Sequence, residues 1–111
     1  MERFVKGDVV VVPFPFSDLT QAKRRPALVI SSLKSDDLIL CQITSQNVRD
    51  DYAITFENQD MNDGKLDKIS NVRPNRLFTA DHHIVLYRIG SLAPTKMQEV
   101  IERLIEIITH E

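Results

Sequence analysis

The chain has 111 residues, 42% of them hydrophobic and 27% charged, which suits one hydrophobic core and a single domain over residues 1–111. One cysteine excludes an intrachain disulfide framework, no apolar run is long enough to cross a bilayer, and no signal-peptide core accompanies Glu2, Arg3, Lys6 and Asp8; a cytoplasmic protein is expected. The net charge of −2 runs against a nucleic-acid binder, as such domains are usually basic.

Residues 9–16 are rich in β-branched side chains and interrupted by Pro13 and Pro15. Proline cannot donate to a sheet ladder, so a strand is expected through Val12 that leaves the sheet near Pro13. A polar loop over 17–25 ends at Pro26, and residues 27–31 then read as a short buried strand. After a turn at 32–37, residues 38–44 form another strand, closing in the polar Thr44-Ser45-Gln46-Asn47. Cys41 lies inside this run and reads as a small buried hydrophobe. Residues 52–56 alternate with the period of a half-buried strand. The acidic stretch 57–65 contains Asp63-Gly64, a tight-turn signal. Leu66, Ile69 and Val72 mark a strand that ends at Arg73-Pro74, with shorter extended pieces at 76–79 and 84–89.

Asp81-His82-His83 reads as a polar turn. Histidine is the usual acid–base residue near neutral pH, but neighbours on an extended chain point to opposite sides, so the two imidazoles are not expected to serve one phosphate. With Cys41 buried, no zinc-ligand pattern is completed, and no metal or cofactor is expected. At the C-terminus Met97, Val100, Ile101, Leu104, Ile107 and Ile108 recur at three- and four-residue spacing, an amphipathic helix with Pro94 in its first turn and Ala93 as a poor N-cap. Several short strands, one terminal helix and no repeats describe a mainly β protein, a small barrel or sandwich with a helical appendage. A core this small also favours dimerisation as a way to add burial.

Charge is distributed unevenly: residues 1–34 carry +3, residues 35–64 −6, residues 65–88 +3 and residues 89–111 −2. If folding brings the two basic blocks together they form a groove for phosphates, with the acidic parts facing elsewhere. Within the first block Lys23, Arg24 and Arg25 stand between a polar loop and a buried strand. From composition alone a solvated basic turn is the commoner outcome, although a guanidinium's planar fork of donors matches a phosphate. Thr44, likewise, reads as a strand-end threonine.

Four segments in order, Gly7-Asp8-Val9-Val10-Val11-Val12, Arg24-Arg25-Pro26-Ala27-Leu28-Val29-Ile30-Ser31, Cys41-Gln42-Ile43-Thr44-Ser45 and Ser70-Asn71-Val72-Arg73-Pro74 with Leu77-Phe78-Thr79, resemble the MazF/PemK toxin family. The terminal helix after Ile89-Gly90-Ser91-Leu92 is similar as well. That resemblance implies an SH3-like barrel with a C-terminal helix and a metal-independent, sequence-selective endoribonuclease acting on single-stranded RNA. It implies catalytic roles for Arg25, the arginine immediately before the proline, and for Thr44 of the Ile-Thr-Ser step. It also implies RNA contacts from Ser17, Asp18 and Gln21 in the first loop, from Lys23, Arg24 and Ser45 beside the catalytic pair, and from Arg73 along the groove. A homodimer and a cognate antitoxin protein are the implied partners. Phe14 and Phe16 in the proline-rich stretch are the aromatics expected to stack on bases. The related CcdB proteins use the same barrel to poison gyrase, so a protein-binding module or a catalytically silent regulatory barrel stands as the alternative.

Overall fold

The computed structural model describes residues 3–14, 23–48 and 50–110. Among these residues seven strands, β1 (Asp8–Phe14), β2 (Lys23–Ser32), β3 (Asp37–Thr44), β4 (Ile54–Phe56), β5 (Met61–Gly64), β6 (Ser70–Asp81) and β7 (Tyr87–Leu92), precede one helix, α1 (Pro94–Thr109). The strands form a single curled sheet in the order β4-β6-β3-β2-β1-β7-β5, and every pairing is antiparallel. Its two outer strands, β4 and β5, are successive in the chain and joined through one 3-10 turn, Asn58–Asp60. The result is the expected mainly β, barrel-like architecture with a C-terminal helix.

Strand alternation divides the core in two. Val9, Leu28, Ile43, Ile54, Phe56 and Val72 pack on one face with Met97, Val100 and Leu104 of α1. Val10, Val12, Ala27, Val29, Leu38 and Leu40 pack on the other with Phe4. Cys41 has no solvent exposure, and burial pushes its thiol up to about 12, so it is the inert hydrophobe its setting in the sequence indicates. α1 begins with Pro94 after an Ala93 N-cap that makes no side-chain bond.

Three prolines break the expected boundaries. β1 runs through Pro13 instead of leaving the sheet there, pairing Pro13 with Arg24 and Phe14 with Lys23. β2 therefore starts at Lys23, inside what reads as loop. Both prolines are tolerated for one reason: β7 pairs with β1 only as far as Val11, and β3 pairs with β2 only from Ala27, so Pro13 and Pro26 each sit where the strand has a single neighbour. At Pro74 the chain does not end a strand either. β6 continues, and the register jumps from Gln42 opposite Arg73 to Cys41 opposite Leu77, leaving Pro74, Asn75 and Arg76 in a bulge that needs no ladder donor. The Asp63-Gly64 signal is also no hairpin turn. It ends β5, where Gly64 at φ +81° packs so closely on Ile89 and Gly90 that a Cβ there would collide with backbone.

Candidate active site

One face of the sheet changes character along its length. On β3, Leu38 and Leu40 give way to Gln42 and Thr44; on β2, read in the opposite direction, Val29 and Ala27 give way to Arg25. Ala27 pairs with Gln42 at the end of the β2–β3 ladder, and Arg25 and Thr44 lie two residues beyond that pair on their strands. On the other side of β3, Gln42 pairs with Arg73 and Thr44 with Asn71. The end of this face is therefore a cleft of about 270 Å³ lined by Arg25, Gln42, Thr44, Gln46, Asn47 and Arg73. Apart from Val48 its walls are polar, and two guanidiniums contributed by the two basic blocks of the sequence stand in it.

The rim is fixed by short-range bonds. Thr44 Oγ1 accepts the Gln46 backbone N–H at 3.2 Å, and Asn71 Nδ2 donates to the Gln46 carbonyl at 3.0 Å while its Oδ1 accepts the Thr55 hydroxyl at 2.7 Å. Arg73 Nη2 donates to Asp50 Oδ2 at 3.0 Å. Burial pushes the Asp50 carboxyl up, but the hydrogen bonds from Arg73 and from the Ala53 and Tyr52 N–H groups outweigh it, and the group stays below its ordinary range. The acidic block thus does not face wholly elsewhere: Asp50 backs an arginine of the cleft, and Asp63 pairs with Arg88, which also holds the buried Asp8. One charge of the acidic block is used to orient one cation of the groove, Arg73.

Of the residues singled out in the sequence, the cleft brings together Arg25, Thr44 and Arg73. Lys23 and Arg24 are exposed on β2 and do not line it; alternation puts Lys23 on the face of Arg25 and Arg24 on the opposite one. Ser45 is exposed at the rim and outside the lining. Ser17, Asp18, Gln21 and Phe16 lie outside the described residues, and Phe14 ends β1 opposite Lys23. Gln42, Asn71 and Asp50 were not legible as site residues. For Gln42 a signal existed, as it is the first polar residue to follow Leu38 and Leu40 on one face of β3; for Asn71 and Asp50 there was none short of the fold.

The histidines need a correction. Residues 82–84 are a 3-10 turn and not extended, so the His82 and His83 rings stack on each other with centroids 4.1 Å apart. Asp81, His82 and His83 bring ligand-type atoms within 4.8 Å of one another. Those atoms already serve the turn: Asp81 Oδ1 accepts His83 N at 2.8 Å and lies 2.6 Å from its Nδ1, and His82 Nδ1 bonds the Asp36 carbonyl at 3.0 Å. This is a capped polar turn, as the residue types indicate, at the far end of the β3–β6 ladder from the cleft.

The model of the PemK-like, MazF-like toxins of type II toxin-antitoxin systems matches residues 5–108. The chain belongs to that family. No curated protein sequence matches it. Among solved structures it is similar to an endoribonuclease in complex with its cognate antitoxin from a Mycobacterial species, at 12% identity with a TM-score of 0.78 over 98% of each chain. It is also similar to MazF in a MazE–MazF complex from Deinococcus radiodurans, at 17% identity with a TM-score of 0.76 over 97% of this chain and 98% of that one. MazF alone from the same organism gives 19% identity and a TM-score of 0.75 over the same shares. At such identities the likeness is one of fold, so the chemistry of this family member has to be argued from its own cleft.

Proposed function

We propose that this toxin-family chain is a sequence-selective endoribonuclease that cuts single-stranded RNA by attack of the RNA's own 2′-OH, with no metal ion in the reaction. The observation that carries this reading is the meeting of Arg25, Thr44 and Arg73 in one cleft, although they come from β2, β3 and β6. Cutting in this way asks the protein only to hold and to stabilise. The 2′ oxygen attacks the adjacent phosphorus, the bond to the 5′ oxygen breaks, and the products are a 2′,3′-cyclic phosphate and a 5′-OH. The attacking hydroxyl gives its proton to solvent, and the leaving oxygen gains one from a protein donor that solvent reprotonates, so no net proton is consumed. Negative charge builds on the phosphoryl and leaving oxygens, and a fixed cation in a partly dry cleft meets it better than water does.

Arg25 stabilises that charge and delivers a proton to the leaving oxygen. Thr44 hydrogen-bonds a phosphoryl oxygen, and Arg73 holds a phosphate alongside. Lys23, Arg24 and Ser45 on the approaches, with Ser17, Asp18 and Gln21 of the first loop, extend the contact to neighbouring nucleotides. Selectivity comes from unstacked bases read in the groove. The protein acts as a homodimer and is inhibited by a cognate antitoxin whose acidic tail faces the same arginines.

The test is incubation of the purified chain with a long unstructured RNA in EDTA beside an Arg25→Ala variant. Cleavage by the first and not the second supports the reading. An RNA with a 2′-deoxy sugar at the cut site should resist; if it is cut as fast as the parent, the 2′-OH mechanism is wrong.

A further inference from the structure

Arg73 stands in the cleft under restraint. Both it and Asp50 are only about one-fifth exposed, at 20% and 23%, and the Arg73 Nε–H is buried with no acceptor among the described residues. A buried donor without a partner is unfavourable, so this pose does not maintain itself. The bond from Nη2 to Asp50 Oδ2 offsets the loss. Asp50 in turn is not free to follow a moving guanidinium. Its Oδ1 accepts the backbone N–H groups of Tyr52 at 3.0 Å and Ala53 at 2.8 Å, and Arg103 of α1 donates from Nη1 to the Asp51 and Tyr52 carbonyls at 3.0 and 3.1 Å. The loop is thus tied to its own backbone, to the helix and to β6 at once.

We propose that Asp50 is a positioning residue for RNA binding: anchored by its loop and by Arg103, it fixes the Arg73 guanidinium through Nη2 and leaves the remaining Nη N–H groups to a backbone phosphate. Asp50 itself is not among the residues that line the cleft; it acts through Arg73. A guanidinium already fixed loses less freedom on binding than a mobile one, which favours association without changing the chemical step. The inference deepens the RNA-cutting reading and rests on it.

The experiment uses the full chain as wild type, Asp50→Asn, Arg73→Ala and the double variant. Each is titrated with a short RNA that carries a mapped cut site made uncleavable by a 2′-deoxy sugar, and cleavage of the parent RNA is followed in parallel. Asp50→Asn should weaken binding and raise KM by about 5- to 10-fold, with kcat changed by less than about twofold, and the effect should vanish in the Arg73→Ala background. Arg103→Ala should act in the same direction and less, which keeps the test alive if Asp50→Asn does not fold. Normal or tighter binding by Asp50→Asn overturns the proposal, as does an equal loss with and without Arg73. If the wild type neither binds nor cuts RNA, the nuclease reading fails separately. Its structural half, that Asp50 fixes Arg73, is decided separately in the free protein, where Asp50→Asn should shift or broaden the Arg73 side-chain N–H resonances; unchanged resonances overturn it.

Discussion

The two ends of the β3–β6 ladder are both polar and do opposite things with that polarity. At one end, where Asp37 pairs with Asp81, Asp81 and His83 satisfy one another within a single 3-10 turn, and His82 bonds the Asp36 carbonyl beside it. At the other, where Thr44 pairs with Asn71, the polar groups arrive from β2, β3 and β6 and converge on a cleft in which Arg73 is held by Asp50 from outside the lining. Polarity that is settled locally makes a turn; polarity assembled from distant strands is available to a ligand.

The comparison breaks first at Arg25. Arg25→Ala should lower RNA cleavage by about 100-fold or more, the scale on which one stabilising donor acts in a transition state, while His83→Ala leaves the rate within about twofold. Comparable losses from both would put the chemistry at the wrong end or at neither. Next comes Leu40, fully buried between the two ends. Leu40→Ala should destabilise the fold by about 2–5 kcal/mol in denaturant titrations, and residual activity should track the folded fraction. Smaller is the pH effect at Asp50. Its folded carboxyl is held below the ordinary aspartate value of about 4, so its contribution to stability is present above that pH and is lost as pH falls through the lowered value. The melting-temperature gap between wild type and Asp50→Asn should therefore be widest near neutrality and close in acid; a gap independent of pH would show that charge is not its cause. Least of all, Asp81→Ala should lower the melting temperature slightly by uncapping the turn at 82–84, with RNA cleavage unaffected.

The same contrast explains what could be read in advance. Alternating β-branched runs located the strands, and the three- and four-residue spacing of Met97 to Ile108 located α1, because both periodicities are local. Pro13, Pro26 and Pro74 misplaced the strand ends, since a proline's effect depends on whether a second strand lies beside it, which the sequence does not state. Arg25, Thr44 and Arg73 came from resemblance; composition alone favoured a solvated turn and an ordinary strand end. Asp50 was invisible, because its use depends on Arg73 of β6 and on Arg103 reaching the loop from the helix. His82 and His83 lie in the polar turn that their residue types indicate, on a 3-10 backbone that no periodicity marks.

The succession of β4 and β5 in the chain bears on how the molecule assembles. The strands most remote from each other across the sheet are tethered by Asn58–Asp60, so the sheet behaves like a bracelet whose clasp is short and covalent. β1, β2 and β3 can zip together as a local meander, but the circle is complete only when β7 finds β1, as in the pairing of Val9 with Gly90. Such distant pairings are slow, so ring closure should come last and refolding should take milliseconds to seconds. A break in the backbone at the clasp would leave the cleft strands paired while letting the circle spring open.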